Sequence, residues 1–170
     1  MKNAQYEKRM NMYNRVYSSE HIPRLLRALS TFSVLLTAAS FTVFLTVNAM
    51  YDYVVGIKIL LAALIPFVIV SLMRRLINSK RPYEVYSLGN LNGELMRAKR
   101  GESFPSRHVF SAFIIGTLIM EWSIILGSAV ILLGIIIATA RVMLGIHFVR
   151  DVIVGAAIGV ASGVLGILIL

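Results

Sequence analysis

Five apolar stretches, each close to the ~20 residues needed to cross roughly 30 Å of hydrocarbon at 1.5 Å per residue, occupy most of this chain. They run over approximately 28–49, 54–73, 105–120, 123–141 and 151–170. Of the 170 residues, 58% are hydrophobic and only 15% are charged, which points to lipid as the solvent. The expected fold is therefore all-α: a polytopic transmembrane helical bundle of about five spans. The first stretch is rich in Ser and Thr and has the weakest hydropathy. About 27 residues precede it and no small-residue cleavage pattern follows, so it reads as a retained span and not as a signal peptide.

The domain organisation follows from this pattern, with a basic interfacial amino-terminal arm over 1–27 and a single membrane-embedded domain over 28–170. The arm mixes Lys2, Lys8, Arg9, Arg15, Arg24 and Arg27 with Tyr6, Tyr13, Tyr17 and aliphatic residues, a composition suited to the headgroup level. Pro23 and Ser18-Ser19 interrupt any long helix here, which favours a solvated arm that sets topology over an interfacial helix that guides lipid. The chain has no cysteine, so disulfides and thiolate metal sites are excluded. Its net charge of +9 is explained by basic membrane flanks, and nucleic acid is not an expected partner.

The longest polar stretch, 74–107, carries Gly89-Asn90, Asn92-Gly93 and Gly101 and reads as a loop. Around it, polar residues recur at set intervals: Arg74 with Arg81-Pro82, then Phe104-Pro105-Ser106-Arg107-His108, then Arg141, His147 and Asp151. Because successive spans alternate direction, all three clusters fall on one membrane face.

The residue types suit a phosphate. Arg74, Arg81 and Arg141 offer permanent charge and bidentate geometry, although flanking arginines also set topology. Pro105 and Ser106 open the third span, where a helix N-terminus seats an anion and Ser106 adds a hydroxyl; capping by Ser103 or Ser106 is compatible with that role. His147 and Asp151, four apart, share a helix face or meet across a short break. Such a pair suits an oriented nucleophilic imidazole, or else a structural His–Asp bond. His108 lies beside the anion seat, in position for acid–base work. Three dispersed histidines and scattered acids form no metal-ligand set, and no cofactor is expected.

These clusters resemble the three signature motifs of the type 2 phosphatidic acid phosphatase (PAP2) superfamily: Lys-x6-Arg-Pro, Pro-Ser-Gly-His and Ser-Arg-x5-His-x3-Asp. Arg74 stands for the family Lys, Arg107 for Gly and Ala140 for Ser. The resemblance implies a helical core like that of PAP2 enzymes and vanadium haloperoxidases, and metal-free hydrolysis of a lipid phosphate monoester or diphosphate through a phosphohistidine. It implies His147 as nucleophile, Asp151 as its orienter and His108 as general acid and then base. Arg74, Arg81, Ser106, Arg107 and Arg141 then hold phosphate, with Arg107 alternatively directed to headgroups. The substrate class is a lipid phosphate or prenyl (di)phosphate. A phosphotransferase with the same residues and a non-catalytic lipid-binding or transport protein are the rival readings.

Gly155, Gly159 and Gly163 form a stripe for close helix approach, either within the bundle or between two copies in a homodimer. Sixteen of the seventeen Lys and Arg residues lie on the face of the motifs, Lys58 being the exception. The positive-inside rule makes that face cytoplasmic in a bacterial cytoplasmic membrane, whereas bacterial members of the family commonly have six spans and an outward-facing site.

Overall fold

A computed structural model describes residues 2–88 and 100–168. Its helices are α1 (Lys2–Tyr17), α2 (His21–Tyr51), α3 (Tyr53–Ile77), α4 (Pro82–Val85), α5 (Arg107–Met120), α6 (Ile124–Met143) and α7 (Val149–Ile167). There is no strand among the described residues. Helices satisfy their own backbone hydrogen bonds, as a segment in hydrocarbon must. The glycine turns expected at 89–93 lie outside the described residues, whereas Gly101 does adopt a left-handed conformation, with φ of 68°.

Four helices, α2, α3, α6 and α7, are long and apolar enough to span a membrane. The fifth expected span is α5, which has 14 residues and rises only about 21 Å. It can be short because protein encloses it: Val109, Phe110, Ala112 and Leu118 are fully buried. The four longer helices surround it and turn Leu25, Phe32, Leu35, Ile125, Ile153 and Leu165 outward. In water such a surface would be an aggregation hazard, but in a bilayer it is the expected exterior.

Asp52 alone joins α2 to α3. Its N–H donates to Asn48 O at 2.9 Å, and its carboxylate accepts the Val54 N–H at 2.8 Å, so one residue ends one helix and caps the next. Each span reverses the last, which brings the ends of α3 and α6 and the starts of α5 and α7 to one end of the bundle. Tyr51, Tyr53 and Trp122 are exposed at the opposite end, where aromatic side chains suit a lipid–water boundary.

The glycine stripe packs inside the chain. A Cβ on Gly155 would come within 2.7 Å of Ser106 O, one on Gly159 within 2.7 Å of Phe110 O, and one on Gly163 within 2.5 Å of Thr117 Cβ. The stripe is therefore occupied by α5, and the homodimer through it is corrected: no second copy can use a surface already buried against backbone. On the other flank of α5, Gly127 lies so close that a Cβ there would meet Gly116 O at 2.6 Å.

The amino-terminal arm also differs from the solvated segment favoured by its sequence. Residues Lys2–Tyr17 form α1, which docks on the motif-bearing end: Tyr13 is fully buried in a cluster with Tyr83, Tyr86 and Leu88. The Tyr17 hydroxyl donates to Leu144 O at 2.9 Å. Ser18-Ser19 mark the break, as expected, but α2 then starts at His21, ahead of the first apolar stretch. Pro23 falls in its first turn, where a missing N–H breaks no helical bond. The docked α1 shows that the arm and the motif residues share one end of the bundle.

Substitution of Gly159 by Leu forces side-chain volume against the α5 backbone and should destabilise the fold by about 1–3 kcal/mol or more. Val160→Leu, at a position 40% exposed on the outer surface, should be nearly neutral. Thermal unfolding midpoints in detergent provide the comparison; equal midpoints would contradict the close α5–α7 approach.

Candidate active site

The two described ends of the 74–107 loop are tied together before any catalytic group is considered. Asn78 ends α3 in a left-handed conformation, φ 42°, and its side-chain oxygen accepts the Glu102 N–H at 3.3 Å. Next to it, Ser79 O accepts the Ser103 N–H at 2.9 Å. Glu84 Oε2 accepts from both Arg81 N, at 2.7 Å, and Gly101 N, at 2.9 Å, while Arg81 Nε donates to Gly101 O at 2.9 Å. These bonds hold Arg81 and the Ser103–Ser106 segment in one position.

The third motif is folded by its own spacing. After α6 ends, Gly145 turns with φ 68°, and the N–H groups of Ile146 and His147 return to Arg141 O at 3.0 and 3.2 Å. Five residues between Arg141 and His147 are what this return needs. Phe148 then becomes the N-cap of α7, and Asp151 Oδ2 reaches back to accept the Phe148 N–H at 2.9 Å. His147 therefore precedes the helix, so the pair meets across a helix start and not along a helix face.

A third side chain stands between them. His147 Nδ1 is 3.7 Å from Asp151 Oδ2, too far for a good hydrogen bond. The Ser103 hydroxyl donates to Asp151 Oδ2 at 2.5 Å and lies 3.5 Å from His147 Nδ1. Ser103, His147 and Asp151 are all buried. Burial pushes the His147 pKa below the ordinary 6.5, although the nearby Asp151 carboxylate acts the other way. Neutral imidazole is thus favoured over a wider range than for a histidine in water.

Ser106 joins the same assembly through its backbone, donating its N–H to Asp151 O at 2.8 Å. Its hydroxyl is buried and has no hydrogen-bond partner among the described residues, and the same holds for Arg141 Nε. Arg74 is buried and donates through Nη1 to Pro105 O, which fixes the residue before Ser106. The Arg74–Pro105 and Ser106–Asp151 bonds thus bring the three motifs together. Unsatisfied buried donors among several cations favour an anion. Arg107 is the exception: it is exposed, and its guanidinium lies 5.5 Å from the centre of the Phe67 ring, outside the buried cluster.

Arg107 and His108 also line a cavity of about 250 Å³ whose remaining walls are mainly apolar, from Val34, Ala38, Phe67, Ile115 and Ile137. A second apolar cavity of about 240 Å³ shares Phe67, Ser111 and Ile115 with it and extends between α2, α3 and α5. Together they form an apolar groove with the imidazole of His108 at its polar end.

Sequence reasoning considered Ser103 only as a helix cap and gave no role to Asn78, Glu84 or Phe67. Asn78 and Phe67 work through partners distant in the chain, Glu102 and Arg107, which no local pattern marks, whereas Pro82 followed by Glu84 is a local helix-start signal that could have pointed to the Glu84–Arg81 bond. Among the described residues, no three His, Cys, Asp or Glu side chains gather as a metal site would require.

Comparison with known proteins bears on the family. The family model of the PAP2 superfamily matches residues 55–170. The structure of Aquifex aeolicus LpxE is similar in fold, with a TM-score of 0.67 and 23% identity over 93% of each chain. A PAP2-type phosphatidylglycerolphosphate phosphatase from Bacillus subtilis aligns with a TM-score of 0.38 and 16% identity, over 95% of this chain and 93% of that one. No curated protein matches the chain. With all three motifs gathered at one end of a membrane-embedded helical bundle, and with the family model spanning every one of them, this chain is an integral membrane protein that belongs to the PAP2 superfamily.

Proposed function

We propose that the protein is a metal-independent lipid phosphatase that hydrolyses a lipid phosphate monoester or diphosphate. The observation that carries this reading is the juxtaposition of the His147–Ser103–Asp151 cluster and the unpartnered donors Ser106 Oγ and Arg141 Nε with an apolar groove ending at His108. A hydrophilic phosphate ester would have no use for that groove, whereas a lipid tail fits it and brings its phosphate to the cations.

In the proposed reaction Asp151 and Ser103 hold the Nδ1 side of His147, leaving Nε2 to attack phosphorus in line. The P–O bond to the lipid breaks as the P–N bond forms, and His108 gives its proton to the departing oxygen. Water then surrenders a proton to His108 and attacks the phosphohistidine, releasing inorganic phosphate and neutral His147. Arg74, Arg81, Arg141 and Ser106 stabilise the phosphoryl oxygens, and the bound anion in turn favours protonated His108. Arg107, stacked on Phe67, is assigned to the substrate side of the groove and not to the phosphoryl oxygens.

His147→Ala should reduce turnover to background in a folded protein, and His108→Ala should lower it about 10²–10⁴-fold. Asp151→Asn should also be severe, and Ser103→Ala intermediate, because the hydroxyl positions the imidazole without touching phosphorus. Phosphate release from phosphatidate, phosphatidylglycerol phosphate and prenyl diphosphate is the assay, with chelator present throughout. Near-normal turnover by His147→Ala would refute the nucleophile, and loss of activity to chelator that one divalent ion restores would refute the metal-free route. Phosphate appearing only when an alcohol acceptor is supplied, as its ester, would favour a transferase.

The pH dependence has a defined sign. His147 attacks when neutral, and burial lowers its pKa from 6.5, so kcat/KM should fall on acidification only below that ordinary value. An acid limb centred above 6.5 would contradict the burial argument.

The charge distribution supports a cytoplasmic site. Without Arg74, Arg81, Arg107 and Arg141, twelve of the remaining thirteen basic residues still share the site's face, so catalysis alone does not account for the bias. Cysteines introduced singly at Asn14 and Val85, both exposed, should resist an impermeant thiol reagent in intact cells and react after permeabilisation. Labelling of either from outside would reverse the assignment.

A further inference from the structure

Away from the catalytic cluster, a groove of about 970 Å³ lies between α1 and the junction of α6 with α7. None of Arg74, Arg81, His108, Arg141, His147 or Asp151 lines it. From α1 it receives Lys8, Met12, Arg15 and Val16, which recur at helical spacing and so face one way. The opposite wall is Val142, Met143 and Val149, the residues on either side of the connection that carries His147. Arg9 also lines the groove, its guanidinium 6.0 Å from the centre of the Phe148 ring. Glu7 is the acidic lining residue, against three basic ones.

The groove's depth and charge limit what can fill it. Val142 and Met143 end one membrane span and Val149 begins the next, so the groove lies at the headgroup level of a bilayer. Basic side chains outnumber Glu7 over an apolar floor, a balance that favours a lipid of net negative charge over a zwitterionic one, and the floor is mismatched to a free anion. A phospholipid of net negative charge complements both: its phosphate against Lys8 and Arg15, and its first methylenes against Met12, Val142 and Val149.

We infer that this groove binds an anionic phospholipid of the surrounding bilayer, at a site separate from the substrate's. The other face of α1 is already held, through Tyr13 in the aromatic cluster and through the Tyr17 hydroxyl on Leu144 O. Bound lipid would fasten the basic face as well, bracing α1 and the His147 connection from opposite sides. The inference rests on the groove and its charges and does not depend on the proposed reaction.

Full-length protein in nanodiscs of phosphatidylcholine containing phosphatidylglycerol provides the test, with retained lipid counted by native mass spectrometry. Phosphatidylglycerol is a diester without a terminal phosphate, so the proposed phosphatase would not consume it. Wild type should retain one phosphatidylglycerol in preference to phosphatidylcholine. Lys8→Gln/Arg15→Gln should lower that preference by roughly 30-fold, about fivefold per basic residue removed. Arg141→Gln, which alters the phosphate cluster and leaves the groove intact, should keep the preference. Val149→Trp places a bulky ring over the apolar floor where the first methylenes would lie, with every charge present; it should also weaken the preference, and it serves if the double variant does not fold. Equal retention of the two lipids by wild type would overturn the inference. So would an undiminished preference in Lys8→Gln/Arg15→Gln or in Val149→Trp, and loss in Arg141→Gln alone would reassign the lipid to the catalytic cluster.

Discussion

Asp151 makes hydrogen bonds in three directions, and the site depends on their coexistence. Its Oδ2 accepts from Ser103 Oγ and from Phe148 N, while its main-chain oxygen accepts from Ser106 N. The first bond reaches toward His147, the second starts α7, and the third anchors the segment that leads into α5. A carboxylate excluded from water needs such partners, since leaving one buried polar group unsatisfied costs about 1–3 kcal/mol or more for a charge. Both side-chain bonds fall on Oδ2, whereas Oδ1 is buried without a hydrogen-bond partner among the described residues, with Arg150 Nε 3.4 Å away. The third bond belongs to the main chain, so the fold position of residue 151, and not its side chain, fixes where α5 begins.

The short α5 is the counterpart of that anchoring. Lipid gives helices little hydrophobic reason to associate, so their packing relies on close van der Waals contact. Gly155, Gly159 and Gly163 on one flank and Gly127 on the other let neighbouring backbones approach α5 within distances that any Cβ would violate. The central helix is thereby held on two sides, and its amino-terminal end carries Ser106 and His108 to the boundary where α3, α6 and α7 also deliver their polar residues. Apolar side chains face lipid, while the buried titratable groups Arg74, His147 and Asp151 gather at one end of the bundle, the arrangement that a site acting on a tail-bearing phosphate requires.

The amino-terminal helix adds a layer outside the membrane-spanning bundle. Tyr13, Tyr83, Tyr86 and Leu88 form an aromatic cover beside the His147 connection, and Phe148 packs against it. Tyr13 is held there with its hydroxyl pKa raised to about 12, chiefly by burial, so it stays neutral at any physiological pH. The basic side of the same helix looks onto the groove over Val142 and Val149. One 16-residue segment thus joins the cover of the site to the surface of the bilayer.

Much of this was determined by the order of residues alone. Stretches of apolar residues near the bilayer's thickness dictate helices, because no other open segment satisfies its backbone in hydrocarbon, and alternation of direction assigns Arg74, Arg81, Ser106, His108, Arg141, His147 and Asp151 to one end. The Arg-x5-His-x3-Asp spacing also has a local cause, in the return of His147 N to Arg141 O and the reach of Asp151 back to Phe148. Tertiary structure decided what depends on partners far apart in the chain. It inserted Ser103 between His147 and Asp151, turned Arg107 onto Phe67, used the glycine stripe for α5 instead of a second copy, and docked α1 where Pro23 and the serines suggested a free arm. Each outcome is a competition among contacts for the same buried surface, and sequence periodicity specifies which face of a helix is apolar or small without specifying what will cover it.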